Sequence, residues 1–205
     1  MHHDDAIRIV TNLVSRTGPV RVDWVSPAMS AVLAAISLQE RDEVHRIEFS
    51  AQCQEYAENV GLVDVLNRDS SAPNSKQGSR CGGTYSPLAS LAFHSEVESC
   101  NRLVNGVFRT ALGKSNLVRP VCKVVGELHD NVASHACGRG YSAAKIYRHS
   151  SSPDMLEFAI ADSGRGLLGN ARRADARICT DAQAIRWALE KGTTSARRAD
   201  PMAQR

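Results

Sequence analysis

Glu127, Asn131 and His135 stand four residues apart in the run Glu127-Leu128-His129-Asp130-Asn131-Val132-Ala133-Ser134-His135, and about thirty residues later Asp162-Ser163-Gly164-Arg165-Gly166 closes an alternating apolar stretch. At 3.6 residues per turn the first three form a slowly drifting stripe, so all can face one cavity. An Asn side-chain oxygen is a hard ligand, suited to a magnesium ion that keeps most of its waters and shares phosphate oxygens. A Glu one turn away can take a proton from an attacking water or hydroxyl. A carboxylate where a strand leaves its sheet can accept a hydrogen bond from the exocyclic amine of adenine. Gly164 and Gly166 let the backbone approach a flat ring and turn sharply. Each half has an ordinary counterpart, a solvated stripe on an amphipathic helix and an Asp-Ser-Gly turn. Together, in this order, they suit a magnesium–adenine nucleotide.

These residues need elements to hold them. Leu117, Val121, Val124, Val125, Leu128 and Val132 give a helix over 117–136 with one buried side. Residues 88–112 also read as helix, through Leu91, Val97, Leu103, Val104, Val107 and Leu112. Lys145–His149 and Met155–Ala161 read as the strands of a hairpin, and Asp181–Lys191 returns to helix and stops at Gly192. Upstream, Val20–Val25 alternates as a short strand. Ser26-Pro27 opens a helix carrying Met29, Val32, Leu33 and Ile36, His45–Phe49 suits a second strand, and Glu55–Leu66 a second helix weakened by Gly61. This order implies a small α/β unit over 1–66. Between the units, 67–86 is crowded with Ser, Asn, Gly and Pro and reads as a flexible linker, leaving 87–205 as the second unit.

An apolar fraction of 42% with 23% charged residues is that of an ordinary globular protein, and a formal charge of +3, spread along the chain, gives no reason to expect nucleic acid. No apolar run reaches the roughly 20 residues of a membrane helix, so no membrane partner is expected. The cysteines at 53, 81, 100, 122, 137 and 179 form no C-x-x-C pair. With no secretory signal they read as reduced thiols of a cytoplasmic protein.

Glu127-x-x-x-Asn131 followed by Asp162-x-Gly164-x-Gly166 resembles the N box and first glycine box of the gyrase, heat-shock chaperone, histidine kinase and MutL ATPases. The stretch from Glu127 to His135 is most similar to the bacterial regulatory branch that includes anti-sigma-factor serine kinases. The resemblance covers about residues 88–195. It implies an α/β sandwich, mainly an antiparallel sheet packed by helices, that holds ATP and Mg2+. It also implies that Asn131 binds the metal, that Glu127 is the catalytic base, and that Asp162 holds adenine. Gly164, Gly166, His135 and Thr194 complete the implied nucleotide site. Residues 1–66 resemble a degenerate STAS-like module of the same signalling networks, with Ser26-Pro27-Ala28 near the place of the usual Asp-Ser-x-Gly phosphoacceptor stretch. A regulatory protein partner, and a dimer, are expected on the same ground. Gly192-Thr193-Thr194-Ser195 resembles the approach to a second glycine box, but no glycine follows Gly192, so the ATPase unit is expected to be C-terminally incomplete. A non-catalytic interaction protein with a decayed nucleotide pocket is the alternative.

Other patterns compete. Gly164-x-Gly166-x-x-Gly169 follows a strand and has Glu190 about 20 residues on, as a dinucleotide-binding turn would. That fold would end a second strand at the acid, where the pattern here is helical. Gly113-Lys114-Ser115 lacks the upstream glycine of a P-loop, since position 108 is Phe108. Cys122, His129, His135 and Cys137 match no usual zinc spacing, and read as core thiols and helix-surface imidazoles. His94-Ser95-Glu96 reads as a polar helix face.

Overall fold

A computed structural model describes residues 3–15, 18–39, 46–67 and 83–190. The chain is a mixed α/β protein, and its described residues form two small sheets. Strand β1 (Val20–Val22) pairs in parallel with β2 (Ile47–Phe49), Val20 opposite Ile47 and Val22 opposite Phe49. The second sheet is antiparallel, in the order β3 (Ala89–Leu91), β4 (Gly140–Tyr147), β5 (Met155–Asp162).

Helix α1 (His3–Val14) sets Ile9 and Leu13, one turn apart, into the core. Helix α2 (Pro27–Ile36) connects β1 to β2 and starts as its sequence requires: the Ser26 hydroxyl accepts from Met29 N, and Pro27 fills a first-turn position that needs no N–H. Its residues are small and apolar on nearly every side, and seven of its ten are buried. A helix of that composition must be covered all round. It packs on β4 and β5 on one side and on α1 and the later helix α4 on another. The expected helix over 55–66 is two pieces, α3 (Ala51–Asn59) and α4 (Leu62–Asn67), broken where Gly61 takes φ +82°.

The expected helix over 88–112 begins later. Ala89–Leu91, wholly buried, form β3, and helix α5 spans His94–Leu112. Three buried residues in a row, Ala89, Ser90 and Leu91, fit a strand covered on both faces as well as a buried helix turn, so periodicity alone could not separate them. The Glu96 carboxylate accepts from Ala92 N and Phe93 N and fixes the start of α5. Gly113, at φ +57°, donates its N–H to Arg109 O and ends it, which accounts for the glycine of Gly113-Lys114-Ser115. Helix α6 (Val118–Asn131) follows, and its last turn widens into a π-helix, Val132–Ala136. The hairpin is present, with β4 starting five residues earlier than the pattern suggests. After it comes α7 (Gly166–Ala174), which the sequence reading lacked, and then α8 (Asp181–Leu189).

Strand β4 is the centre of the molecule. Tyr141 and Ala143 join Val22, Leu33, Ala57 and Leu88 in one core, while Ala144 and Ile146 join Leu91, Cys100, Val104, Phe108 and Val125 in another. Alternation along a strand sends successive side chains to opposite faces, so β4 is buried on both. Residues before 67 and after 83 therefore share one core. Most of the segment expected to be a linker, 68–82, lies outside the described residues. Its last part is tied to the sheet, where Ser86 N donates to Ala144 O; just past it, Leu88 N donates to Val60 O in the α3–α4 turn.

Candidate functional site

The core-facing side of α6 carries Val121, Cys122, Val125 and His129, continued by Val132 and Ala133. Glu127 and Asn131 fall on the opposite side and are exposed; His135, on the π-helical turn, is half-buried. Val124 and Leu128, counted from their spacing as core positions, lie on the outer side, 59% and 38% exposed.

The two motifs meet where the π-helix ends. Cys137 takes the left-handed conformation, φ 55°, and turns the chain into Gly138 and β4. Arg165 N donates to Ala136 O at 3.1 Å, and Ser163 N donates to Arg139 O at 2.8 Å. Asn170 Nδ2, on α7, donates to His135 O at 2.7 Å. A Cβ on Gly138 would come within 2.8 Å of Gly164 N, and one on Gly164 would overlap the Ala136 carbonyl. Glycine at both positions is therefore a packing requirement, and the two backbones cross in direct contact. Strand alternation puts Asp162 on the α6 side of the sheet, where a Cβ on its partner Gly140 would touch both Asp162 Cβ and Val132. Asp162 is exposed; its Oδ1 accepts from Gly164 N at 2.8 Å in an Asx turn. Helix α7 starts next to this turn at Gly166, φ +70°, with no side-chain cap, so its first N–H groups can serve an anion. Thr194 lies outside the described residues, as does Gly192.

One expected surface imidazole is internal. His129 has no exposed surface and bridges three elements: Nδ1 meets Asn101 Oδ1 of α5 at 2.7 Å, and Nε2 meets Ser142 Oγ of β4 at 2.8 Å. Cys100 Sγ lies 3.6 Å from the same Nε2. Burial pulls the imidazole down to about 4, against a smaller opposite push from Asp130, and burial pushes the Cys100 thiol up to about 12. Asn, His and Ser or Cys in line is the composition of a nucleophilic triad. Cys100, His129 and Ser142 are all 0% exposed, however, and a protonated thiol is a poor nucleophile. The network is a polar spine inside the core. Position 129 follows Cys122 and Val125 by seven and four residues, so the apolar stripe itself pointed to burial.

Sequence reasoning also missed a cluster on the other face of the sheet. Lys145 Nζ lies 3.7 Å from the ring centroid of Tyr56, 4.9 Å from Tyr147 and 5.5 Å from Trp24. Glu157, opposite Lys145 in the ladder, accepts from Tyr147 OH at 2.7 Å and from Ala28 N, in the first turn of α2, at 3.1 Å. Burial lowers the Lys145 ammonium and the nearby Glu157 carboxylate opposes it; the ring faces also favour the cation. The cluster joins α2 and α3 to the sheet.

The remaining patterns are resolved by topology. Helix α7 leads into α8, and among the described residues no strand parallel to β5 follows, so the parallel crossover unit of a dinucleotide fold is not formed. No group of three or more His, Cys, Asp or Glu among the described residues is placed to hold a metal. Cys122 is half-buried in the core and Cys137 exposed. An open cleft of about 430 Å³ lies against α8 and the turn leading into it, lined by Arg177, Gln183, Arg186, Trp187 and Glu190 among others; it includes the acid of the dinucleotide-like pattern but no residue of the expected adenine-nucleotide site. No described helix is long and apolar enough to cross a membrane. Compared with protein-family models, curated proteins and solved structures, the chain has no match in any of the three.

Proposed function

We propose that this protein is an adenine-nucleotide-binding signalling regulator, in which a histidine-kinase-like ATPase sandwich carries a STAS-like α/β unit on the back of its sheet. The observation that supports it is the contact between the two motifs. Residues about thirty positions apart in sequence are joined backbone to backbone through Ala136, Gly138, Gly164 and Arg165. In this reading Asp162 accepts the adenine amine, with its carboxylate held by Gly164 N. Gly164 and Gly166 allow the close approach of the ring, and the first turn of α7 faces phosphate. Asn131 and His135 would contribute from the α6 side, where the Asn131 side-chain oxygen would hold a largely hydrated Mg2+. Glu127 takes the proton in any transfer to water or to a protein hydroxyl, as in a serine/threonine kinase of the anti-sigma type. Thr194 would belong to the phosphate side.

Calorimetric titration with ATP and GTP tests the reading. GTP carries a carbonyl where ATP carries the amine, so ATP binds more tightly to the wild type. Asp162→Asn keeps an oxygen for Gly164 N but loses the charge, and ATP affinity falls roughly tenfold to a hundredfold, as for a lost charge-assisted hydrogen bond. Equal binding of the two nucleotides rejects the assignment.

A second reading, a non-catalytic interaction protein with a decayed pocket, is favoured by Val124 and Leu128, exposed apolar side chains on the same side of α6 as Glu127. It requires that no adenine nucleotide binds, with or without magnesium.

A further inference from the structure

The nucleotide turn is held from the far side of the sheet. Helix α2 runs along β5 and is fastened to it at both ends. Its first turn gives Ala28 N to the Glu157 carboxylate. Beyond its last turn, Gln39 Nε2 donates to Ser163 O at 2.9 Å, across 124 positions of sequence. The lengths agree. Ala28 to Gln39 rises about 16 Å at helical pitch, and Glu157 to Ser163 covers about 20 Å of extended chain. Ser163 lies between Asp162 and Gly164, the two residues whose mutual hydrogen bond sets the direction of the Asp162 carboxylate. Its N–H and hydroxyl are already committed to Arg139 O. Its carbonyl is the remaining polar group of that peptide, and Gln39 holds it.

We propose that Gln39 is a positioning residue for the adenine-binding turn, with α2 as the strut that carries it, so that residues of the N-terminal segment set how well the turn discriminates adenine. The inference rests on the nucleotide reading above for its ligand, but the hold on the turn is measurable without one. Gln39 is exposed, so substitutions there leave the core intact. Gln39→Glu has the same shape and cannot donate; Gln39→Lys keeps a donor.

The test is amide hydrogen exchange at Ser163–Gly166 in the nucleotide-free full chain, alongside ATP and GTP affinities for each variant. In Gln39→Glu, exchange in the turn rises about fivefold, the loss expected for one neutral hydrogen bond, while the thermal midpoint falls by no more than about 2–4 °C. The ATP-over-GTP preference falls two- to fivefold, and Gln39→Lys restores both toward wild type. Exchange in the turn that is the same in wild type and Gln39→Glu overturns the proposal, as does a Gln39→Lys variant no better than Gln39→Glu. A wild type that binds no adenine nucleotide overturns the nucleotide reading and the discriminating role with it; the exchange result then decides the hold on the turn alone.

Discussion

His129, with Asn101 on one ring nitrogen and Ser142 on the other, makes the interior sensitive to acid. The unfolded chain takes up a proton at the ordinary histidine value of 6.5, the folded chain only near 4. Between those values the unfolded state holds the extra proton, so acid favours unfolding. The contribution of neutral His129 is complete above about pH 6.5, declines as pH falls through the window, and is gone below about pH 4, a loss of about 3 kcal/mol. Urea unfolding at pH 7 and pH 5 should show the decline, and His129→Gln, which hydrogen-bonds without titrating, should flatten it. The glycines of the second motif separate two effects. Gly164→Ala must move the Ala136 carbonyl and should cost about 1–3 kcal/mol or more. Gly166 has open space but φ +70°, so Gly166→Ala should cost about 1–2 kcal/mol from backbone strain alone. Thermal unfolding of the pair ranks them; Gly166→Ala as the more damaging would contradict the crossing.

The helix that carries Glu127 and Asn131 has two jobs on two sides. Its inner side packs through Val125 and His129, while Glu127 and Asn131 stay in solvent. Substitutions on the outer side should therefore leave the fold alone. Glu127→Ala should keep nucleotide binding and abolish any turnover, whereas Asn131→Ala should remove the magnesium dependence of binding. Unchanged turnover in Glu127→Ala would reduce Glu127 to a solvated helix position. On the opposite face of the sheet, Lys145→Met removes the cation from between Tyr56, Tyr147 and Trp24, leaving the Glu157 carboxylate with its Tyr147 and Ala28 donors but without the nearby positive charge. A loss of about 1–2 kcal/mol is expected in chemical denaturation, most of it recovered in Lys145→Arg. Equal stability of Lys145→Met and wild type would show the ring contacts to be incidental.

At the scale of the molecule, β4 and β5 are covered from both sides by parts of the chain far apart in sequence. Removing residues 1–67 would uncover Leu88, Tyr141 and Ala143 together with the whole face on which α2 lies. A fragment of residues 83–190 should accordingly bind a hydrophobic dye and unfold without a cooperative transition, while the full chain unfolds in one. A sharp, dye-free transition of the fragment would show that the sheet and its α5–α6 layer suffice.

Local signals in the sequence determined much of this. Ser26-Pro27 placed the start of α2, Gly61 weakened the helix pattern at the point where α3 and α4 separate, and the alternation of 155–161 marked β5, because caps, glycine conformations and side-chain period act within a few residues. The helical pattern of α6 was legible too, but only in part its buried side: Val121, Val125 and Val132 face the core, while Leu117, Val124 and Leu128 are exposed. Tertiary structure decided the rest. Ala89–Leu91 became a strand because β4 offered a partner, and Ser142 and Lys145 acquired opposite surroundings because β4 is covered on two faces. Gly138 and Gly164 came into contact because the end of a helix and the end of a strand cross there. Contacts between residues tens of positions apart leave no period in the chain, so neither the His129 spine, nor the Lys145 cluster, nor the reach of Gln39 to Ser163 could be read before the elements were packed.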